Sequence, residues 1–112
     1  MTKAKDGFAD LPPDNIPPEA QSALDAYRRE LDQYDLDLVE AIGNRFKVVH
    51  QIGELKAQHG IPSIQPIRAQ AVIDRAAARG PEHGLSSDFM RRLYEAIIDY
   101  AHDLERDIQG ET

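Results

Sequence analysis

One stretch of the sequence decides the fold: residues 19–59 read EAQSALDAYRRELDQYDLDLVEAIGNRFKVVHQIGELKAQH. This stretch contains no proline, and its two glycines are Gly43 and Gly53. It therefore predicts one continuous helix. About 40 residues at 1.5 Å each make a rod of roughly 60 Å, about twice the diameter of a domain of this size.

Apolar side chains recur along this helix in two seven-residue series. The first series comprises Leu24, Leu31, Leu38 and Ile52, and the second comprises Tyr27, Tyr34, Ala41, Val48 and Leu55. A two-position seam sustained over more than four heptads is typical of helices that pair with other helices. Two short helices from the same chain cannot cover so long a seam. We therefore expect an intertwined homodimer, in which a second subunit covers the far half of the seam.

The rest of the chain predicts two shorter helices. Breaks at residues 59–62 and 79–84 contain Gly and Pro and divide the sequence. A second helix is expected from Pro66 to about Arg79, and a third from a Ser86 or Ser87 cap to about Ile108. The fold class is thus all-α, with three helices per chain and a helical domain over residues 19–110.

Composition excludes several classes of function. The chain has 112 residues, no cysteine and a net charge of −7, which rules out disulfides, thiolate zinc sites and cysteine nucleophiles and argues against a nucleic-acid partner. No apolar run is long enough to span a membrane. Residues 1–18 hold four of the seven prolines and lack the apolar core of a signal peptide. We expect a flexible N-terminal segment and a cytoplasmic protein.

Cations interrupt or flank the apolar seam. Arg45 occupies a position of the first series where Leu or Ile is due, and Arg28 and Lys56 lie in a series beside the second. Arg45 and Lys56 are eleven residues apart, a rotation of about 20°, so they share a helix face. Arg28 lies about 25 Å further back along the rod and would reach the same place only from another subunit.

Two interpretations of these cations stand at this point. They are either members of a structural ion-pair network, for which the helix supplies several acids, or the walls of a pocket for a small dicarboxylate. A chain of net charge −7 that places cations in its seam favours the pocket. The four histidines show no metal-ligand spacing, and there is no glycine-rich phosphate loop or Ser-His-Asp set. A catalyst of this kind would work without metal, cofactor or covalent intermediate.

The same pattern resembles the all-helical chorismate mutase family. The resemblance rests on Arg28, on Arg45 seventeen residues later and on Ile52-Gly53-Glu54-Leu55-Lys56, and it continues without a gap through Arg68 and Glu105. It covers roughly residues 20–108. It implies an intertwined dimer with two equivalent pockets for chorismate-like dicarboxylates, no cofactor, and the pericyclic rearrangement of chorismate to prephenate.

By position, the resemblance also implies a role for each cation. Arg28 would come from the partner subunit and meet one carboxylate, and Arg45 would clamp the second. Lys56 would serve the ether oxygen of the enolpyruvyl group, and Arg68 would line the mouth of the pocket. Glu105 would donate a hydrogen bond to the same ether oxygen, for which its carboxyl must carry a proton.

Three positions depart from the pattern of mutases that act on chorismate. Those enzymes usually carry acids where this chain has Gln65 and Ala69, and a serine where it has Ala101. In the family these positions meet the ring substituent, so the resemblance implies either chorismate or 4-amino-4-deoxychorismate as the substrate. An isochorismate-pyruvate lyase and a non-catalytic helical dimerisation module are the alternatives. Activation by the next enzyme of the pathway, as occurs for some small relatives, also stays open.

Overall fold

The computed structural model describes residues 15–110, and these form three α-helices. Helix α1 runs over Pro18–His59, α2 over Pro66–Arg79 and α3 over Ser87–Ile108, with a 3₁₀ turn at Gly80–His83. The predicted three-helix, all-α chain with a very long first helix is confirmed. The expectation of a flexible segment over residues 1–18 falls largely outside the described residues.

The helix ends follow from local chemistry. Gly60 adopts a positive φ of 65°, and the amide of Ile61 donates to the carbonyl of Lys56 at 2.9 Å, which satisfies one of the last carbonyls of α1. Pro66 occupies the first turn of α2, where its missing N–H costs nothing. The hydroxyl of Ser86 accepts from the amide of Phe89 at 3.0 Å and caps α3.

The described chain divides into two compact units, one up to Val39 and one from Glu40. In the first unit, no residue of α1 from 18 to 39 is buried. The seam residues Tyr27, Leu31 and Tyr34 remain 69%, 59% and 64% exposed. An exposed apolar stripe of this kind is typical of a surface that binds another molecule.

The second unit has a small core in which the last part of α1 packs with α2 and α3. The core residues are Val49, Ile73, Ala76, Ala77, Ile98 and Ala101. On the surface, Arg91 donates to the carboxylate of Asp74 at 2.7 Å and joins α3 to α2. This bond, with a second from Gln70, holds the pKa of Asp74 below its usual range. Its stabilising contribution is therefore present above the ordinary pKa of an aspartate and is lost as the pH falls through the lowered value.

Gly53 allows α3 to approach α1 closely. It is buried, and a Cβ at this position would lie 2.8 Å from Cδ1 of Ile108 and 3.4 Å from Cγ of Glu105. No such contact would arise at Gly43, where nothing lies within 4 Å. The glycine of the Ile-Gly-Glu-Leu-Lys stretch thus fixes how near Glu105 comes to α1. Among the described residues, none of the helices is both long enough and apolar enough to cross a membrane.

Candidate active site

The second unit contains a cavity of about 420 Å³ with contributions from all three helices. Its lining residues are Arg45, Val49, Ile52, Gln65, Arg68, Ala69, Val72, Ile98, Ala101, His102 and Glu105. Six of them are apolar and form a wall that fits a small ring, and the other five are polar or charged. This combination is typical of a pocket for a small organic ligand.

Arg45 and Arg68 face this cavity without a carboxylate of their own. Within residues 15–110, no Asp or Glu oxygen lies within 4 Å of either guanidinium group. Arg45 is half-buried and lies with its guanidinium carbon 5.9 Å from the centre of the Tyr94 ring, a contact that orients the group without neutralising it. A half-buried cation left unpaired favours a ligand that supplies the negative charge.

Lys56 is neutralised by the chain itself. Its Nζ donates to Oε1 of Glu105 at 2.7 Å and to the carbonyl of Ser63 at 3.0 Å. The two side chains are 12% and 8% exposed, so this is a nearly buried ion pair. In the chain without ligand, Glu105 therefore accepts a hydrogen bond from Lys56. Of the two interpretations of the seam cations, the ion pair describes Lys56, whereas Arg45 is open to the cavity, as is Arg68 of α2.

The structure brings together most of the residues predicted for the site. Arg45, Gln65, Arg68 and Glu105 line the cavity, and Lys56 joins it through its bond to Glu105. Gln65 and Arg68 are exposed at its mouth. Arg28 belongs to the first unit, where it is exposed, so its predicted donation from a partner subunit stays a prediction.

Sequence reasoning missed two features of this region. His102 lines the main cavity, and its place next to Ala101 on α3 was the only available signal. A second cavity of about 240 Å³ is lined by Arg75 and Arg79 together with Arg45 and Arg68. The spacing of Arg68, Arg75 and Arg79 by seven and four residues places them on one face of α2. Within the described residues, no group of three or more His, Asp or Glu side chains is arranged to hold a metal ion.

The sequence of this chain matches a known protein family. The model of the family described as chorismate mutase type II matches residues 27–106, which include every residue predicted for the site. The chain belongs to this family. Members of the family named as mutases are isomerases, and the all-helical fold found above is the family's own.

Individual relatives show which chemistries occur on this domain. A 4-amino-4-deoxychorismate mutase of Streptomyces pristinaespiralis is 38% identical over 94 residues, 84% of this chain and 73% of that protein. A protein of the same name from Streptomyces venezuelae is 38% identical over 78 residues, 70% of this chain and 76% of that protein. An isochorismate pyruvate lyase of Pseudomonas aeruginosa is 33% identical over 84 residues, 74% of this chain and 81% of that protein. Relatives of similar coverage thus carry the names of two different enzymes, a mutase and a lyase.

Proposed function

We propose that this chain catalyses the pericyclic rearrangement of 4-amino-4-deoxychorismate, or of chorismate, to the corresponding prephenate, as a cytoplasmic homodimer. The observation that supports this most is the pair Arg45 and Arg68, which face the cavity and have no Asp or Glu oxygen of residues 15–110 within 4 Å of their guanidinium groups. A substrate with two carboxylates supplies the missing charges. The two relatives named as 4-amino-4-deoxychorismate mutases support the amino substrate.

The rearrangement is unimolecular, so the protein acts by position and by charge. Arg45 and Arg68 would hold the carboxylates so that the substrate stays in its chair-like reactive conformer. Lys56 would stabilise the negative charge that grows on the ether oxygen as its bond to carbon breaks. The bond from Lys56 to Glu105 keeps that ammonium group in place before the substrate arrives.

Glu105 has to change its role when the substrate binds. In the ligand-free chain it accepts from Lys56, whereas donation to the ether oxygen requires a protonated carboxyl. A Glu105→Gln variant, which donates at any pH, should then show a kcat/KM that varies less between about pH 5 and pH 9 than that of the wild type. Equal pH profiles for the two proteins would remove this role.

The exposed seam of α1 supports the homodimer. Whether Arg28 acts in the site of the partner subunit can be tested by complementation between two inactive variants. Arg28→Ala and Arg45→Ala homodimers should each be nearly inactive. If Arg28 acts across subunits, mixing the two variants creates heterodimers with one intact site. Random exchange then restores about a quarter of the wild-type activity. Arg28 acting within its own chain would give no restoration, because every site would lack one arginine.

The substrate class is tested by incubating the protein with chorismate, isochorismate and 4-amino-4-deoxychorismate separately. Formation of prephenate or its amino counterpart supports the mutase. Release of pyruvate with salicylate from isochorismate would establish the lyase instead, a reaction known for one of the relatives above. No turnover of any of the three would leave a non-catalytic dimerisation module.

A further inference from the structure

Two polar side chains of the main cavity have no partner of their own. Glu105 is bonded to Lys56, and the guanidinium groups of Arg45 and Arg68 are suited to carboxylates. His102 and Gln65 complete the polar lining. Within residues 15–110, neither of these side chains makes a hydrogen bond or ion pair with another residue. These two side chains are available to form hydrogen bonds with polar groups of the ligand that the arginines do not bind.

The two side chains line the same cavity and lie between the same two contacts of α3 with the rest of the chain. Arg91 of α3 bonds to Asp74 of α2, and Gln109 just after α3 bonds to the carbonyl of Ile61. These two contacts fix α3 antiparallel to the segment that runs from residue 61 to residue 74. His102 lies between Arg91 and Gln109 along α3, and Gln65, the N-cap residue of α2, lies between Ile61 and Asp74, so both fall between these two contacts.

Small residues leave room for a substituent between these two groups. Ala69 lies one turn further along α2, and Ala101 precedes His102, and both line the cavity. Neither can form a side-chain hydrogen bond. A polar group of the ligand that points to this end therefore meets His102 and Gln65, because a buried group left without a partner is costly.

We propose that His102, with Gln65, contacts the ring substituent of the substrate and selects an ammonium group over a hydroxyl. This inference rests on the function proposed above. A neutral imidazole and a carboxamide oxygen both accept hydrogen bonds. The ammonium group offers three donors and carries a charge that strengthens each bond, whereas a hydroxyl offers one donor. Two acceptors at this end thus favour the amino substrate.

The experiment compares kcat/KM for 4-amino-4-deoxychorismate and for chorismate in four proteins. The wild type should prefer the amino substrate. His102→Leu, which removes the acceptor, should lower the ratio of the two kcat/KM values about tenfold or more. His102→Gln, which keeps an acceptor, should retain much of the preference. His59→Leu is the matched control, because His59 is exposed at the end of α1 and does not line the cavity.

The outcomes separate this inference from the proposed function. A ratio that is unchanged in His102→Leu while both substrates are turned over would overturn the role of His102 alone. A wild type that prefers chorismate would overturn the selection of an ammonium group. Turnover of neither substrate by the wild type would overturn the mutase and this inference with it. Should His102→Leu fail to fold by circular dichroism, the His102→Gln variant and a Gln65→Leu variant decide the question through the same ratio.

Discussion

Lys56 and Arg45 lie on the same face of α1, yet the chain treats the two cations differently. Lys56 is almost fully buried and bonded to Glu105 at 2.7 Å. Arg45 is half-buried beside Tyr94 and has no carboxylate within reach among residues 15–110. A chain with 20 acidic residues does not lack carboxylates for pairing. We propose that Lys56 is held in place by Glu105 and that Arg45 is left open for the charge of a ligand.

The largest effect is expected from removing the open cation. Arg45→Ala should lower kcat/KM by about 10²- to 10³-fold, because it removes a bidentate carboxylate clamp. The folded state should survive, since no buried carboxylate loses its partner. Steady-state kinetics and thermal unfolding measure the two quantities, and Arg92→Ala, an exposed arginine outside both cavities, is the control. A variant that unfolds would show that Arg45 is structural.

Removing the paired cation should lower the stability of the fold, which removing Arg45 should not. Lys56→Met leaves the 8% exposed carboxylate of Glu105 without its cation, which should lower the free energy of unfolding by about 3 kcal/mol. The double variant Lys56→Met, Glu105→Leu removes both charges and should recover most of this loss. Denaturant unfolding at one fixed protein concentration measures all the variants. A single variant as stable as the wild type would mean that the pair contributes nothing.

The helices were predictable because their signals are local. The absence of proline from residue 19 to residue 59, Pro66 and the Ser86 cap each act within a few residues, and the helix bounds follow them. The candidate site was predictable only in part. The positions of Arg45, Arg68 and Glu105 followed from spacing and from the family resemblance. That Lys56 is bonded to Glu105, 49 residues away, depends on how α3 packs on α1, which no local pattern encodes.

The close packing of α3 on α1 at Gly53 holds Glu105 near Lys56. Gly53→Ala places a Cβ 3.4 Å from Cγ of Glu105 and 2.8 Å from Cδ1 of Ile108. At 2.8 Å either the isoleucine methyl must turn away or α3 must move from α1, and the second movement would displace Glu105. We expect kcat/KM to fall about three- to tenfold with little loss of stability. Gly43→Ala, with no atom within 4 Å, is the matched control and should only stabilise the helix. Equal activities for the two variants would show that the position of Glu105 is not critical.

The smallest effect is expected at Arg75 and Arg79, which lie next to the unpaired Arg45 and Arg68. Both are exposed, and both line the second cavity with Arg45 and Arg68. Four guanidinium groups on one side of an acidic protein create a local positive field that attracts a dianionic substrate. Replacing both outer arginines with glutamine should lower kcat/KM about threefold at low salt and leave kcat unchanged.

The dependence of kcat/KM on salt concentration distinguishes attraction of the substrate by this field from direct contact between the arginines and the substrate. The Debye length falls from about 10 Å at 0.1 M to about 3 Å at 1 M ionic strength, so the loss in the Arg75→Gln, Arg79→Gln variant should disappear at high salt. The matched control is Arg29→Gln, Arg92→Gln, which removes the same charge from exposed positions that line neither cavity and should change little at any salt concentration. A loss that persists at 1 M salt would mean that Arg75 or Arg79 touches the substrate. The region that contacts the substrate would then extend from Arg45 and Arg68 along the face of α2.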